Sequence, residues 1–302
     1  MSEMKVNLDY GGRAKGVSPL RSATAVHIAM LLFAGDASAA DKSPYNLFNP
    51  TPRELMREMS TDRPDKTESA YTLDAGHYQI EMDVFSYAVD RYNGIPGDHR
   101  SEALAIAPIN LKAGLLNNVD LQFILQPYIS LREHNVAARV VDEHRGFGDV
   151  ITRLKVNVWG NDGGPTALAL MPYVKLPTNT DRVGNNSAEG GLIVPFAVAL
   201  PQELTLGVMT QVDIARDESG GGHHPEFVNT ITVGREIVGD LSGFLEFFSS
   251  VSTESGSEWI GTFDAGLTYM LTDDVQLDAG VFIGLTRAAD DINPFLGMSW
   301  RF

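Results

Sequence analysis

The chain has 302 residues, no cysteine and a formal net charge of −16 at neutral pH. The missing cysteines exclude disulfides and thiolate metal sites, and the acidic balance excludes a nucleic-acid partner, which needs a basic surface. No run approaches the roughly 18 apolar residues that a membrane-spanning helix requires, so a membrane protein of this sequence would have to cross as strands.

Residues 1–40 have the pattern of an export signal. Four basic residues precede a short apolar core at 23–33, and Ala37-Ser38-Ala39 then offers small residues at the cleavage spacing. The sequence therefore predicts a signal peptide at 1–40 that is removed on export. The alternative is a short buried helix.

Residues 41–75 are not strand-like. Prolines interrupt them, among them Pro44, Pro52 and Pro64, and the stretch 60–69 is dense in charged and hydroxyl side chains. One interpretation is a solvated periplasmic leader. The other is a plug, a segment whose charges lie inside a polar lumen. Its charged residues would be Asp62, Arg63, Asp65, Lys66 and Glu68.

From residue 76 onward, apolar residues alternate with polar or small ones. In 119–131 every odd position is apolar, and 275–285 follows the same rule. Side chains alternate between the two faces of a strand, so such segments suit a wall between lipid and a wet interior. Twelve segments are long enough to cross a bilayer at a tilt. They are residues 76–90, 101–114, 119–132, 148–160, 165–176, 190–200, 203–216, 226–238, 241–253, 258–271, 274–286 and 292–302.

The connections between these segments alternate between short and long. Short links fall at 115–118, 161–164, 201–202, 239–240 and 272–273, and longer ones at 91–100, 133–147, 177–189, 217–225, 254–257 and 287–291. Outer-membrane barrels have tight turns on one side and longer loops on the other. The sequence therefore predicts an all-β fold, a closed antiparallel transmembrane β-barrel of about twelve strands over residues 76–302.

The final segment, 292–302, predicts how that barrel closes. It alternates and stops on an aromatic residue, and we expect it to pair with segment 76–90, which would remove both exposed sheet edges. That pairing would set Arg301 and Asn293 beside Glu81 and Asp83. We interpret Trp300 and Phe302 as an assembly signal for the barrel-assembly machinery.

The polar residues at alternating positions of the strands would face the lumen. Their basic and acidic members lie on different groups of strands. Two arcs of opposite sign should face each other and create a transverse field that filters ions. Alternatively, the charges pair with each other and seal the lumen. The basic arc is Lys112, Arg153, Lys155, Lys175 and Arg301, and the acidic arc is Glu81, Asp83, Asp213, Glu246, Asp264 and Asp278.

Several motifs resemble one bacterial family. The run 61–69 (TDRPDKTES), followed by 74–81 (DAGHYQIE), resembles the start of a family of transporters associated with the MetA pathway of phenol degradation. Gly146-Phe147-Gly148-Asp149, the run 173–178 (YVKLPT) and the aromatic C-terminus are also similar, so the resemblance spans most of 60–302. It implies an outer-membrane barrel that passes small compounds, with aromatic compounds as candidates, and it supplies no site residues.

We therefore expect a passive channel or transporter for small solutes in the cell outer membrane, in contact with membrane lipid and lipopolysaccharide. A structural or adhesive barrel with a sealed lumen is the alternative. A lipid-modifying enzyme is disfavoured, because it needs a Ser and a His together on one lipid-facing surface. We predict no catalytic residue and no cofactor.

The histidines also bear on metal binding. His99, His134, His144, His223 and His224 all fall in the predicted long links. His223-His224, with Asp217 and Glu218 nearby, offers metal-ligating side chains. Adjacent histidines in a glycine-rich loop are more often solvated, so we predict no metal site.

Overall fold

A computed structural model of the chain describes residues 41–92, 99–135, 138–217 and 221–302, so the predicted signal peptide at 1–40 lies outside the described residues. The described chain forms one antiparallel sheet, preceded by a short 3-10 turn at Arg53–Leu55. No helix among the described residues is long and apolar enough to cross a membrane. The strand segments are β1 (Tyr78–Tyr92), β2 (His99–Ile106), β3 (Ile109–Leu116), β4 (Val119–Leu125), β5 (Tyr128–Asn135), β6 (Val140–Gly146), β7 (Val150–Trp159), β8 (Thr166–Leu176), β9 (Glu189–Leu200), β10 (Leu204–Arg216), β11 (His223–Val238), β12 (Leu241–Ser252), β13 (Ile260–Thr272), β14 (Val275–Gly284) and β15 (Ile292–Arg301).

These segments make twelve wall strands, because three wall strands are interrupted. β2 continues into β3, β4 into β5 and β6 into β7, with breaks at Ala107-Pro108, Gln126-Pro127 and 147–149. Two breaks contain proline, which has no N–H to donate to a neighbouring strand. The breaks lie on adjacent strands, since β2 pairs with β5, β3 with β4, and β4 with β7. The predicted twelve-strand architecture is confirmed.

β1 and β15 close the barrel. Their register runs from Gln79 opposite Arg301 to Val89 opposite Ile292, which confirms the predicted pairing of the first and last strands. The predicted neighbours of Arg301 and Asn293 are wrong. Asn293 accepts a hydrogen bond from Ser86, and Arg301 binds Asp274. Eight residues of strand span roughly 26 Å, so these two positions cannot both lie beside Glu81 and Asp83.

The two faces of the wall differ in polarity. On β11, His224, Glu226, Val228, Thr230 and Thr232 are buried while the residues between them are exposed. The exposed face is apolar and carries exposed aromatic rings, which include Phe227, Phe247, Trp259, Phe263, Tyr269 and Trp300. An apolar outer face with aromatic rings is the pattern of a lipid-facing barrel wall.

The two ends of the barrel differ in their connections. The short-turn end has turns at 117–118, 160–165, 201–203, 239–240 and 273–274, whereas the fully described connections at the long-loop end include 177–188, 253–259 and 285–291. The predicted long link 133–147 is wrong in part, because β5 runs to Asn135 and β6 begins at Val140.

The histidines predicted to lie in links lie in strands. His99 begins β2, His134 is in β5, His144 is in β6, and His223 and His224 begin β11. These strand ends are polar, so the apolar alternation that marks a membrane strand is missing even though the backbone pairing continues. The pairing of a strand and the alternation of its side chains are therefore separate properties, and only the second is visible in the sequence.

The chain that precedes β1, residues 41–77, is here named the inner segment. Its two ends are attached at the short-turn end, where Leu47 N–H donates to Leu115 O and Gly76 N–H donates to Gly114 O, each at 2.9 Å. Between these attachments the stretch 60–70 lies inside the barrel, because its charged side chains contact inward residues of β1, β3, β7, β13 and β14.

Candidate functional site: the charged lumen

Both arcs of charged residues face the interior of the barrel. Lys155 and Asp264 have no exposed surface, and Lys112, Arg153, Glu81, Glu246 and Asp278 are also buried. Ionised side chains that are removed from water need partners of opposite charge or hydrogen-bonding groups. The inner segment supplies many of these partners, and four of its five charged side chains in 60–69 meet the arc of opposite sign.

The anionic side chains of the inner segment meet the basic arc. The Asp62 carboxylate accepts hydrogen bonds from Lys155 and, at 2.7 Å, from Lys112. Gln122 on β4 also donates to it, at 3.0 Å. Six residues further along, Glu68 accepts a hydrogen bond of 2.5 Å from Arg153 on β7.

Arg63 meets two residues of the acidic arc. Its guanidinium donates two hydrogen bonds to Asp278 on β14, at 2.9 and 2.7 Å, and one of 2.7 Å to Asp83 on β1. Gly297 makes this approach possible, because a Cβ at that position would lie 1.8 Å from Arg63 Nη2. Paired donors to one carboxylate fix the position of the guanidinium as well as its charge.

The Lys66-Thr67 dipeptide extends the contact with the acidic arc. The Lys66 ammonium lies 3.4 Å from Asp264 and donates to Thr262 at 2.9 Å. It also lies 4.3 Å from the centre of the Phe248 ring, a distance at which cation–π attraction operates. The backbone N–H of Lys66 and the hydroxyl of Thr67 both donate to Glu246, at 2.8 and 2.5 Å.

Asp65 faces β11, where it forms a hydrogen bond with Thr232. Burial raises the pKa of Asp65 to about 6, although the bond to Thr232 opposes the shift. The nearby Glu68 raises the pKa further, because two like charges disfavour ionisation.

Besides Lys112 and Glu81, which lie 3.0 Å apart on adjacent strands, three further arc residues are held by neighbours on the wall. Lys175 pairs with Glu189 near the long-loop end, and Asp213 accepts a hydrogen bond of 2.5 Å from the Tyr173 hydroxyl. Arg301 lies 2.8 Å from Asp274 at the short-turn end and also donates to the Arg57 carbonyl at 2.8 Å. These three therefore fix strand ends and turns as well as facing the interior.

Sequence reasoning missed a second charged cluster, where the inner segment enters at the short-turn end. Arg57 and Lys42 each lie 2.8 Å from Asp162, which is in the turn before β8. Although burial alone would raise it, hydrogen bonds from Lys42 and Asn117 and the charge of Arg57 lower the pKa of Asp162. Asp74 also lies within reach of Lys42 and Arg57, at 3.4 and 3.2 Å.

Asp120 was missed as well, although a signal for it was present. It is fully buried, and it accepts hydrogen bonds of 3.0 Å from Leu73 N–H and from Gln122. The alternation of 119–131 places every even residue on the inward face, so the same rule that identified Gln122 identifies Asp120.

A small cavity lies where the inner segment passes the arcs. It is lined by Asp62, Arg63, Glu81, Asn110, Ile124 and Arg153, and its volume of about 10 Å³ has room for roughly one water. An aromatic solute does not fit in this space while the inner segment occupies the lumen.

A Ser/His contact bears on the enzyme alternative. The Ser187 hydroxyl lies 3.1 Å from His223 Nε2 in an exposed region at the long-loop end, where His223 also approaches the Ala188 carbonyl. A serine hydrolase orients its histidine with a third polar group, usually a carboxylate. Within the described part of the chain, no carboxylate forms an ion pair with His223.

The fold is that of outer-membrane channels. An outer-membrane channel from Pseudomonas putida F1 aligns with a TM-score of 0.58 and 11% sequence identity, over 80% of this chain and 100% of the other. The NanC porin aligns with a TM-score of 0.46 and 12% identity, over 72% of this chain and 98% of the other. None of the curated proteins matches the sequence.

A family model matches residues 61–302, which covers the charged stretch of the inner segment and the whole barrel wall. The matched region begins at the Thr61–Ser69 run that carries the partners of both arcs. The chain therefore belongs to the family described as "Putative MetA-pathway of phenol degradation".

Proposed function

We propose that the protein is an outer-membrane channel for the passive passage of small solutes, and that the inner segment is a removable plug which closes it. The observation that carries the proposal is the charge complementarity of the lumen. Asp62 and Glu68 bind the basic arc, whereas Arg63 and Lys66 bind the acidic arc.

Two features support removal of the plug without loss of the barrel. The wall closes through β1 and β15, so its hydrogen bonds do not depend on the inner segment. The plug is held in the lumen largely by ion pairs and hydrogen bonds, and its release would exchange these bonds for bonds to water. Release would expose a lumen lined by both arcs.

The two exposed arcs would then act on the passing solute. Opposed rows of charge create a field across the pore, which orients dipolar solutes and discriminates between ions. Neutralising Arg153 and Lys155 should therefore shift the ion selectivity of the open channel toward cations. Unchanged reversal potentials in that variant would remove the charge filter from the proposal and leave the channel itself standing.

The solute class is proposed from the family rather than from the lumen. The family is described by its link to phenol degradation, so we propose small aromatic compounds as solutes. An uptake assay in whole cells, across a panel of phenolic, carboxylate and sugar solutes, tests this step. Preferential uptake of phenolic compounds is expected, and equal uptake of all three classes would refute the aromatic preference.

The membrane location is part of the proposal. The apolar outer face with exposed aromatic rings supports contact with outer-membrane lipid and lipopolysaccharide. Export through a cleaved signal at 1–40 and recognition of Trp300 and Phe302 by the barrel-assembly machinery complete the proposed route. Fractionation of cells that produce the full chain tests the location.

Conductance in planar bilayers tests the channel itself. The exported chain should show rare or small openings, and a version that lacks residues 41–75 should show larger and more frequent ones. A sealed structural barrel gives no conductance in either version, and that result would refute transport. Heat-modifiable migration on gels confirms that both versions are folded.

A further inference from the structure

Three metal-ligating side chains converge at the long-loop end, away from the two arcs. Asp217 follows β10, His224 lies in β11, and Glu254 follows β12. His224 Nδ1 lies 2.9 Å from Asp217 Oδ1 and 3.8 Å from Glu254 Oε2, and the three ligand atoms all lie within 4.8 Å of one another. Three consecutive wall strands thus each contribute one donor.

The two adjacent histidines have different surroundings. His224 is buried, with 8% of its surface exposed, and it shares the inward face of β11 with Glu226, whose Oε1 lies 4.0 Å from its Nε2. His223 is exposed and contacts Ser187 instead. Strand parity therefore directs one imidazole into the carboxylate cluster and the other away from it.

The backbone around the cluster holds the donors together. Asp217 N–H donates to Gly222 O at 3.0 Å, and Thr253 N–H donates to Pro225 O at 3.1 Å. Gly222 also leaves space for the carboxylate, because a Cβ there would lie 2.2 Å from Asp217 Oδ2. A larger residue at 222 would displace one ligand.

The donor set matches a transition metal better than a hard cation. Zinc binds imidazole nitrogen and carboxylate oxygen, and bonds of about 2.0 Å in a tetrahedron place ligand atoms about 3.3 Å apart. The observed 2.9 and 3.8 Å lie on either side of that separation. Calcium and magnesium prefer oxygen-only sites, so a buried imidazole disfavours them.

We propose that Asp217, His224 and Glu254 bind one divalent transition-metal ion, with zinc as the preferred ion and water completing its coordination. The bound ion joins Asp217, after β10, to His224 in β11 and to Glu254, after β12. Glu226 lies close enough to orient His224 or to replace the water.

Calorimetric titration of the full, untagged chain in detergent with zinc chloride tests the site. One zinc per chain is expected, with calcium at least about 10-fold weaker. His224→Ala and Glu254→Gln should each weaken zinc binding by about 10-fold or more, while the matched control His223→Ala should change it by less than about 2-fold. Gel migration verifies that each variant is folded.

Two results would overturn the proposal. One is the absence of zinc binding to the folded chain, which would leave His224 as a hydrogen-bonding partner of Asp217. The other is binding that His223→Ala weakens as much as His224→Ala does, which indicates adventitious surface histidines. Neither result affects the channel proposal, because conductance is measured separately.

Discussion

Arg63 binds Asp278 through two hydrogen bonds of 2.9 and 2.7 Å, although the two residues are 215 positions apart in the chain. One residue belongs to the inner segment and the other to β14. The contact therefore joins the proposed plug to the wall rather than one strand to the next. Removing one partner of a buried ion pair leaves the other charge unpaired, which costs about 3–5 kcal/mol.

Arg63→Ala should release the inner segment. Asp278 and Asp83 would both lose their partner, so the docked state should weaken by about 3–5 kcal/mol and the channel should open more often in planar bilayers. Arg53→Ala is the matched control, since Arg53 is 72% exposed and pairs with Asp274 in the short turn before β14. Equal open probabilities for the two variants would contradict the assignment of Arg63 to the plug.

Glu68 and Arg153 should show energetic coupling in a double-mutant cycle. Glu68→Gln, Arg153→Gln and the double variant should give a coupling energy of about 1–3 kcal/mol for docking, because the pair is buried. Protease protection of the inner segment measures docking. The exposed pair Arg132 and Glu143 serves as the control and should not change protection. Additive effects of the two Gln substitutions would show that the pair does not hold the plug.

Docking of the inner segment should strengthen on mild acidification. The pKa of Asp65 is raised to about 6 from an ordinary value of 3.8, so the docked state binds a proton more tightly than the released state does. Ionised Asp65 disfavours the docked state. The free-energy cost of docking therefore grows as pH rises from 3.8 to about 6, and it is lost again when pH falls through that range. The pKa of Asp62 is lowered by Lys112 and Lys155. Asp62 therefore stays ionised over the same pH range and continues to stabilise the docked state.

Conductance as a function of pH measures this effect. Open probability should fall as pH is lowered from about 6 toward 3.8, and Asp65→Asn should remove most of the change. Glu68 on the inner segment and Glu246 on β12 also face Asp65, so Glu68→Gln is a useful second variant. A pH response of the same size in Asp65→Asn would assign the titration to another group.

Phe302 should stabilise the seam. Its ring stacks on Tyr78 at 6.0 Å and contacts Trp300 at 4.9 Å, while its backbone exchanges two hydrogen bonds of 2.9 Å with Tyr78. Phe302→Ala keeps the backbone bonds and removes the ring contacts, so the free energy of unfolding should fall by about 1–2 kcal/mol. Urea titration followed by gel migration measures it. Phe48→Ala, at a ring that is 92% exposed, should have no effect.

The sequence predicted those features that depend on local alternation. Lys112 and Gln122 lie on the inward face because the parity of a strand fixes the side of every residue in it. The closing pair of strands also followed from an even strand count. A β-bulge between Asp83 and Phe85 was not predictable, because nothing in the residues around Val84 marks it.

The partners of the inner segment were not predictable from local pattern. Asp62 binds Lys112 and Lys155, which lie 50 and 93 positions further along the chain. Strand parity places the two lysines on the inward face but does not place Asp62, and the height of each lysine along the barrel depends on the register of several strands. That register shifts at the bulge in β1 and at breaks such as Ala107-Pro108, so it required the structure.

The measurement that tests the central claim most directly is single-channel conductance of the intact chain that carries both Arg63→Ala and Lys66→Ala. Both substitutions remove cations that bind the acidic arc, so the plug should leave the lumen. The account predicts a higher open probability than in the unsubstituted chain and in Arg53→Ala. A folded double variant with no conductance would contradict it, because an unplugged barrel of this kind should pass ions.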